Sequence, residues 1–182
     1  AIIGFTNLIS EDIPYEEALI YNKIVNASGN HLLTIVEDLF DITLIEAGEI
    51  KIHNQQEDIH AILGEVYDII KGDQQITKKQ HLDLSLIMPE GRENLITITD
   101  SVKLKQILIN LLKNALKFTP EGHVHFGYEI EKENDQHLIK FFVEDTGIGI
   151  SKEKQELIFD VFRQVEDSHT RIYGGTGIGL SI

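Results

Sequence analysis

Asn110, Asn114 and Lys117 recur at intervals of four and three residues, so on a helix their side chains fall within roughly 60° of one another. The helix is itself legible. Asp100 or Ser101 can cap a run reaching Phe118, and Leu104, Ile107, Leu108, Leu111, Leu112 and Ala115 give it an apolar stripe at i, i+3, i+4, i+7 spacing, with the two amides and the ammonium on the opposite face. Asn is a poor helix former, and a merely solvated face more often carries Glu and Lys. An amide oxygen can enter the oxygen shell of Mg²⁺ while a Lys neutralises phosphate. Taken singly, each Asn reads more readily as a solvated surface residue.

Two glycine runs follow, Asp145-Thr146-Gly147-Ile148-Gly149 and Gly174-Gly175-Thr176-Gly177-Ile178-Gly179-Leu180, separated by a polar stretch anchored by Phe159 and Phe162. Glycine lets the backbone approach a ligand closely and reach positive φ, at a cost in conformational entropy. One such run is a weak phosphate signal and can be a surface turn; together the two read as a nucleotide site with a lid.

In their order, the motifs N-x-x-x-N-x-x-K, D-x-G-x-G, F-x-x-F and G-G-T-G-x-G-L resemble the catalytic ATP-binding domain of sensor histidine kinases. The resemblance covers nearly the whole chain. Ala1-Ile2-Ile3-Gly4-Phe5 looks like the end of the family's histidine box, and Leu33 to Gly48 is similar to the second helix of its dimerisation and phosphotransfer hairpin. Phe162 to Ser168 and Arg171 to Gly175 look especially like the hybrid-type sensor kinases of bacteria.

The resemblance implies roles residue by residue. Asp145 becomes the adenine selector, since a carboxylate accepts from the exocyclic amine of adenine; an Asp so placed can also be a loop brace. Gly147 and Gly149 let the chain pass beside the base, with Ile150 and Phe118 as apolar walls. Asn114 becomes the Mg²⁺ ligand, Asn110 a phosphate or metal-shell partner, and Lys117 a phosphate contact. In the second box Gly175, Thr176, Gly177, Gly179 and Leu180 lead into a helix start whose N–H groups can hold phosphate. Arg163 reaches phosphate and Tyr173 packs over the nucleotide; Tyr173 reads equally as an exposed lid aromatic, and two core phenylalanines are the plainer reading of the Phe pair.

None of His31, His53, His60, His81, His123, His125, His137 and His169 is followed by an acid and a Pro, as the family's phosphoacceptor box requires. The chain is therefore expected to hold no catalytic His of its own and to be truncated at both ends relative to the family, inactive in autophosphorylation. The histidines also show no Cys/His/Asp metal pattern.

Composition sets outer limits. With 182 residues, 42% hydrophobic, the chain suits one domain plus a small appendage. The absence of Cys excludes disulfide and thiolate chemistry, and no apolar run approaches the ~20 residues of a membrane span, so a cytoplasmic location is expected, although a parent protein can be anchored in the inner membrane. A net charge of -14 argues against nonspecific nucleic-acid binding. Residues 1 to 50 hold 9 acids and 1 base, which leaves Lys117, Arg163, Arg171 and Mg²⁺ to offset the field around a polyanionic nucleotide.

The elements expected are a short helix to about Ile9, a polar turn at Ser10 to Pro14, and a long helix to Ala47 ended by Gly48. Val25, Leu32, Ile35, Leu39 and Ile42 make a bundle-like seam that one hairpin covers poorly, so a homodimeric four-helix bundle is expected. Strands are expected at Ile50 to His53, Leu82 to Leu86, Leu95 to Thr99, Val124 to Ile130 and Leu138 to Val143, with an amphipathic helix from Ile59 to Ile70.

The whole is thus an α+β chain: residues 1–49 a partial dimerisation and phosphotransfer hairpin, and 50–182 an ATP-binding two-layer α/β sandwich of the histidine-kinase, gyrase and Hsp90 type. The function implied is the transmitter core of a two-component system, binding Mg-ATP for phosphoryl transfer to an upstream His and then to the Asp of a response-regulator receiver domain. The alternatives are a noncatalytic ATP-binding interaction module, or another ATPase of the same superfamily, which would need a hydrolytic Glu near the first Asn, where Gln106 stands in the preceding turn.

Overall fold

The computed structural model describes residues 1–9, 13–91, 94–134, 136–159 and 180. The chain divides into two compact units at Ile50 and Lys51.

The first unit holds α1 (Ile2–Thr6) and α2 (Tyr15–Glu46). α1 stops three residues short of the expected Ile9 and packs against α2 through the rings of Phe5 and Tyr21, 5.4 Å apart. Pro14 precedes the first turn of α2, where a missing N–H costs nothing. At the far end Gly48 takes φ +68, its N–H bonds the Ile45 carbonyl, and Glu49 N–H reaches back to Leu44, a Schellman ending. Of the expected seam only Ile42 is buried, while Leu32 and Leu39 are 54% and 46% exposed. A four-helix bundle is not evident in the single chain.

The second unit contains β1 (Gln55–Asp58), α3 (Ile59–Ile76), β2 (Asp83–Ile87), β3 (Ile96–Thr99), α4 (Ser101–Phe118), β4 (His123–Glu133), β5 (Gln136–Asp145), α5 (Lys152–Gln155) and a 3-10 turn at Leu157–Phe159. β2 runs parallel to β4, which pairs antiparallel with β5; β1 and β3 form a separate antiparallel pair. The expected strand at Ile50 to His53 does not form. Ile52 is 54% exposed, and the His53 N–H is spent on the Asp100 carboxylate at 2.8 Å, so pairing begins only at Gln55 opposite Thr99.

Both long helices start from an aspartate that ends a strand or follows one. Asp58 accepts from His60 N–H, and Asp100 from Val102 and Lys103 N–H, satisfying donors that the first helical turn leaves unpaired. The two helices bury Ile59, Leu63, Val66, Ile70, Leu108 and Leu112 against Leu84, Val124, Phe126 and Tyr128 of the three-stranded sheet. β4 shows the period of two directly, with Val124, Phe126 and Tyr128 inside and His123 and His125 less buried on the other face. No described helix is long and apolar enough to cross a membrane.

Candidate functional site

α4 presents Asn110, Asn114 and Lys117, all half-buried, on one face. The face borders the apolar stripe rather than opposing it: Ile107, counted as core from the sequence, is 48% exposed, while Leu108, Leu112 and Ala115 carry the packing. The Asn114 side chain makes no hydrogen bond with the described residues, so its amide is available to a ligand. Burial pushes the Lys117 ammonium below the usual lysine range, and its Nζ lies 4.7 Å from the centre of the Phe118 ring.

The C-terminal end of α4 is tied to the loop after β5. Ile148 N–H donates to the Phe118 carbonyl at 3.2 Å, and the Thr119 hydroxyl, on a fully buried residue, donates to Asp145 Oδ1 at 3.4 Å. The same Oδ1 accepts from Gly147 N–H at 2.8 Å, closing a small turn. Asp145 is therefore exposed and partly a loop brace, through one oxygen; Oδ2 accepts no bond among the described residues. A Cβ on Gly147 would collide with the Phe118 carbonyl and stand 2.7 Å from Asp145 Oδ1, so glycine is required by close approach. At Gly149 the requirement is instead a φ of +66.

Thr146 fastens the same loop to the sheet, accepting from His123 N–H at 3.0 Å and donating its own N–H to the His123 carbonyl. Ile150, expected as an apolar wall, is 46% exposed, and Phe159 is 61% exposed. Leu180 is half-buried in a turn. Phe162, Arg163, Tyr173, Gly175, Thr176, Gly177 and Gly179 lie outside the described residues. Thus Phe118, Asp145 and Gly147 are brought together by direct contact, and Asn110, Asn114 and Lys117 share the helix that ends among them.

Lys79 and Thr119 are not singled out by the sequence. Lys79 Nζ donates to the carbonyls of Leu116 and Thr119 at 2.8 and 2.9 Å, binding the end of α4 from 37 to 40 residues upstream. No local pattern signals such a partner, although a Thr-Pro pair after a helix hints that Thr119 ends it.

Among the described residues no group of three or more His, Asp or Glu side chains can hold a metal. The donor chemistry present is amide and phosphate-directed, which suits a cation carried in with a phosphate ligand better than an all-protein cage. A groove of about 400 Å³ lined by Asn54, Gln55, Gln56, Ile96, Thr97 and Ile98 lies on the β1–β3 pair and contains none of the candidate residues.

Residues 99–182 match the family described as histidine kinase-, DNA gyrase B-, and HSP90-like ATPase. The whole chain is 39% identical over 182 residues to hybrid signal transduction histidine kinase L of Dictyostelium discoideum, of which it spans 10%. It is 32% identical to the autoinducer 2 sensor kinase/phosphatase LuxQ of Vibrio vulnificus, again over all of this chain and 21% of the relative. Among solved structures, full-length ShkA in complex with AMPPNP superimposes with a TM-score of 0.70 at 25% identity, over 93% of this chain and 33% of that one. Since the relatives include a Dictyostelium protein, the hybrid-kinase likeness is not confined to bacteria. The chain spans a small part of these relatives, but all of it is matched. Residues 99–182 thus carry a histidine kinase-, DNA gyrase B-, and HSP90-like ATPase domain, and the chain as a whole is similar to sensor histidine kinases.

Proposed function

We propose that these residues form the transmitter core of a two-component sensor histidine kinase, binding Mg-ATP for transfer of the γ-phosphoryl group to a His outside the eight of this chain and then to the Asp of a response-regulator receiver domain. The observation that carries the reading is the junction of Phe118 with Ile148 and Gly147, which sets the Asp145 carboxylate at the end of the helix that bears Asn110, Asn114 and Lys117.

Mg²⁺, held with the nucleotide by the Asn114 amide oxygen, would supply neutralising charge to the phosphates, and most of the rate gain in such a transfer comes from positioning and charge. Within the chain, Asp145 Oδ2 accepts from the base amine, Gly147 leaves room for the base, Asn114 offers an amide oxygen to the cation with Asn110 beside it, and Lys117 supplies a positive charge that burial has left poorly solvated. A phosphate at Lys117 relieves that desolvation. In this reading Arg163 contacts phosphate, Tyr173 packs over the nucleotide, and Gly175, Thr176, Gly177, Gly179 and Leu180 hold phosphate as the family's second box.

The long helix α2 leaves Leu32, Leu33, Val36, Leu39 and Phe40 between 44% and 68% exposed, a face that suits a second copy in a homodimeric bundle of residues 1–49. Its location is proposed as cytoplasmic, within a parent that can be membrane-anchored. The test is Asn114→Ala by calorimetry: Mg-ATP binding weakens much more than that of metal-free adenosine. Equal Mg-ATP affinity in a folded variant removes Asn114 from the metal site.

A further inference from the structure

The turn between α3 and β2 is built at visible cost. α3 ends in a Schellman arrangement, with Lys78 N–H on the Gln75 carbonyl and Lys79 N–H on that of Gln74, yet the left-handed position that glycine usually fills is occupied by Lys78 at φ +57. Beneath it Gln74 is fully buried; its amide nitrogen donates to the carbonyls of Lys79 and Leu82 at 3.3 and 3.1 Å, while its Oε1 has no partner among the described residues. A non-glycine residue in left-handed geometry and a buried orphan acceptor each disfavour the fold, so both persisting in one turn points to something the turn must deliver.

What it delivers is two side chains onto the α4–β4 junction. Lys79 Nζ donates to the carbonyls of Leu116, Lys117 and Thr119 at 2.8, 3.4 and 2.9 Å, placing a cation at the negative end of the α4 dipole. His81 Nε2 lies 2.8 Å from the Pro120 carbonyl, two residues beyond Phe118. The Lys79 acceptors bracket Phe118. Its carbonyl and the neighbouring Thr119 hydroxyl are the two groups that tie the Asp145–Ile148 turn to the end of α4.

We infer that Lys79 is a positioning residue for base recognition: it fixes the end of α4, so that the Phe118 carbonyl and Thr119 hydroxyl seat the Asp145 carboxylate against the purine. The inference rests on the reading of Asp145 as the base-contacting residue. Lys79 acts through the main-chain carbonyls of the helix end, which predicts a loss in base affinity and base choice, independent of metal.

Lys79→Met keeps the length of the side chain and removes the ammonium. It should weaken ATP and metal-free adenosine alike by about threefold to thirtyfold and lower the ATP:GTP preference, while Lys79→Arg restores most of both. Melting temperature, measured beside affinity, separates this from a simple cap: a folded Lys79→Met with an unchanged ATP:GTP ratio, whether or not it melts earlier, overturns the inference. Should Lys79→Met fail to fold, Thr119→Val carries the test, since it leaves the lysine in place and cuts the hydroxyl link; an unchanged ratio there overturns it equally. If Asp145→Asn retains full discrimination, the base-reading assignment fails; if Asp145→Asn loses it and Lys79→Met does not, only the positioning role fails.

Discussion

The main-chain N–H of Ile148 donates to the carbonyl of Phe118 at 3.2 Å, so the last turn of α4 and the loop after β5 share one peptide hydrogen bond at the heart of the candidate site. A helix end leaves its last carbonyls without intrahelical partners, and here those orphans are distributed between a loop N–H and the Lys79 ammonium. The loop after β5 is thereby a continuation of helix capping. Changes to either side of that junction should be felt in ligand affinity before they are felt in the fold.

Asp145→Asn keeps the side-chain shape but adds donors where only acceptors stood. The Gly147 turn can persist through the amide oxygen, so the variant should fold, and its preference for ATP over GTP should fall by about tenfold or more. Competition of the two nucleotides for a fluorescent ATP analogue measures this. Undiminished preference assigns base reading to another residue.

Gly147→Ala and Gly149→Ala should differ in kind. The first drives a methyl into the Phe118 carbonyl and must displace the loop, so overpacking of about 1–3 kcal/mol is expected together with a large loss of ATP binding. The second meets open space and carries only left-handed strain, about 1 kcal/mol, with a smaller effect on affinity. Thermal melts and calorimetry on the pair check the contrast; equal ATP affinities would remove the close approach at Gly147 from the site.

Asp100 accepts from His53, Lys103 and Val102 N–H, and these bonds, led by that of His53, hold its carboxyl below the usual carboxylate range. A group whose folded pKa is depressed contributes stability above its unfolded value, and loses it as pH falls through the folded one. Asp100→Asn should therefore melt several degrees below wild type at neutral pH, with the gap closing only below about pH 4. A gap that is constant from pH 7 to pH 3 would show that the charge of Asp100 contributes nothing.

The histidines of this chain are expected to accept no phosphoryl group from ATP. His60 is engaged with the Tyr128 hydroxyl at 2.8 Å, His81 with the Pro120 carbonyl, and His123 stacks on His125 at 4.1 Å; none of the eight precedes an acid and a Pro. Radiolabelled ATP should leave no acid-labile phosphohistidine on this chain alone, while a chain that includes the parent's phosphoacceptor box should become labelled. Rapid stoichiometric labelling of any of the eight would contradict the reading.

By itself the sequence determined the helices and which candidate side chains share a face on them, because both depend on spacing within a few turns. The capped α4, its Asn and Lys face, the Asp145 glycine box and the ending of α2 at Gly48 are all local patterns, and the order of the motifs was enough to reach the family. Pairing and capping across distance were decided only in the tertiary structure. Ile50 to His53 alternates like a strand but finds no partner, whereas the polar Gln55–Asp58 becomes one because β3 lies opposite. The spacing put Ile107 in the core, but packing of α4 on the sheet turns it outward beside the asparagines. Lys79 shows the same limit most clearly. Its ammonium meets the end of α4 only because α3 and α4 pack side by side on one sheet, and a contact set by the meeting of two helices leaves no trace in the residues next to either partner.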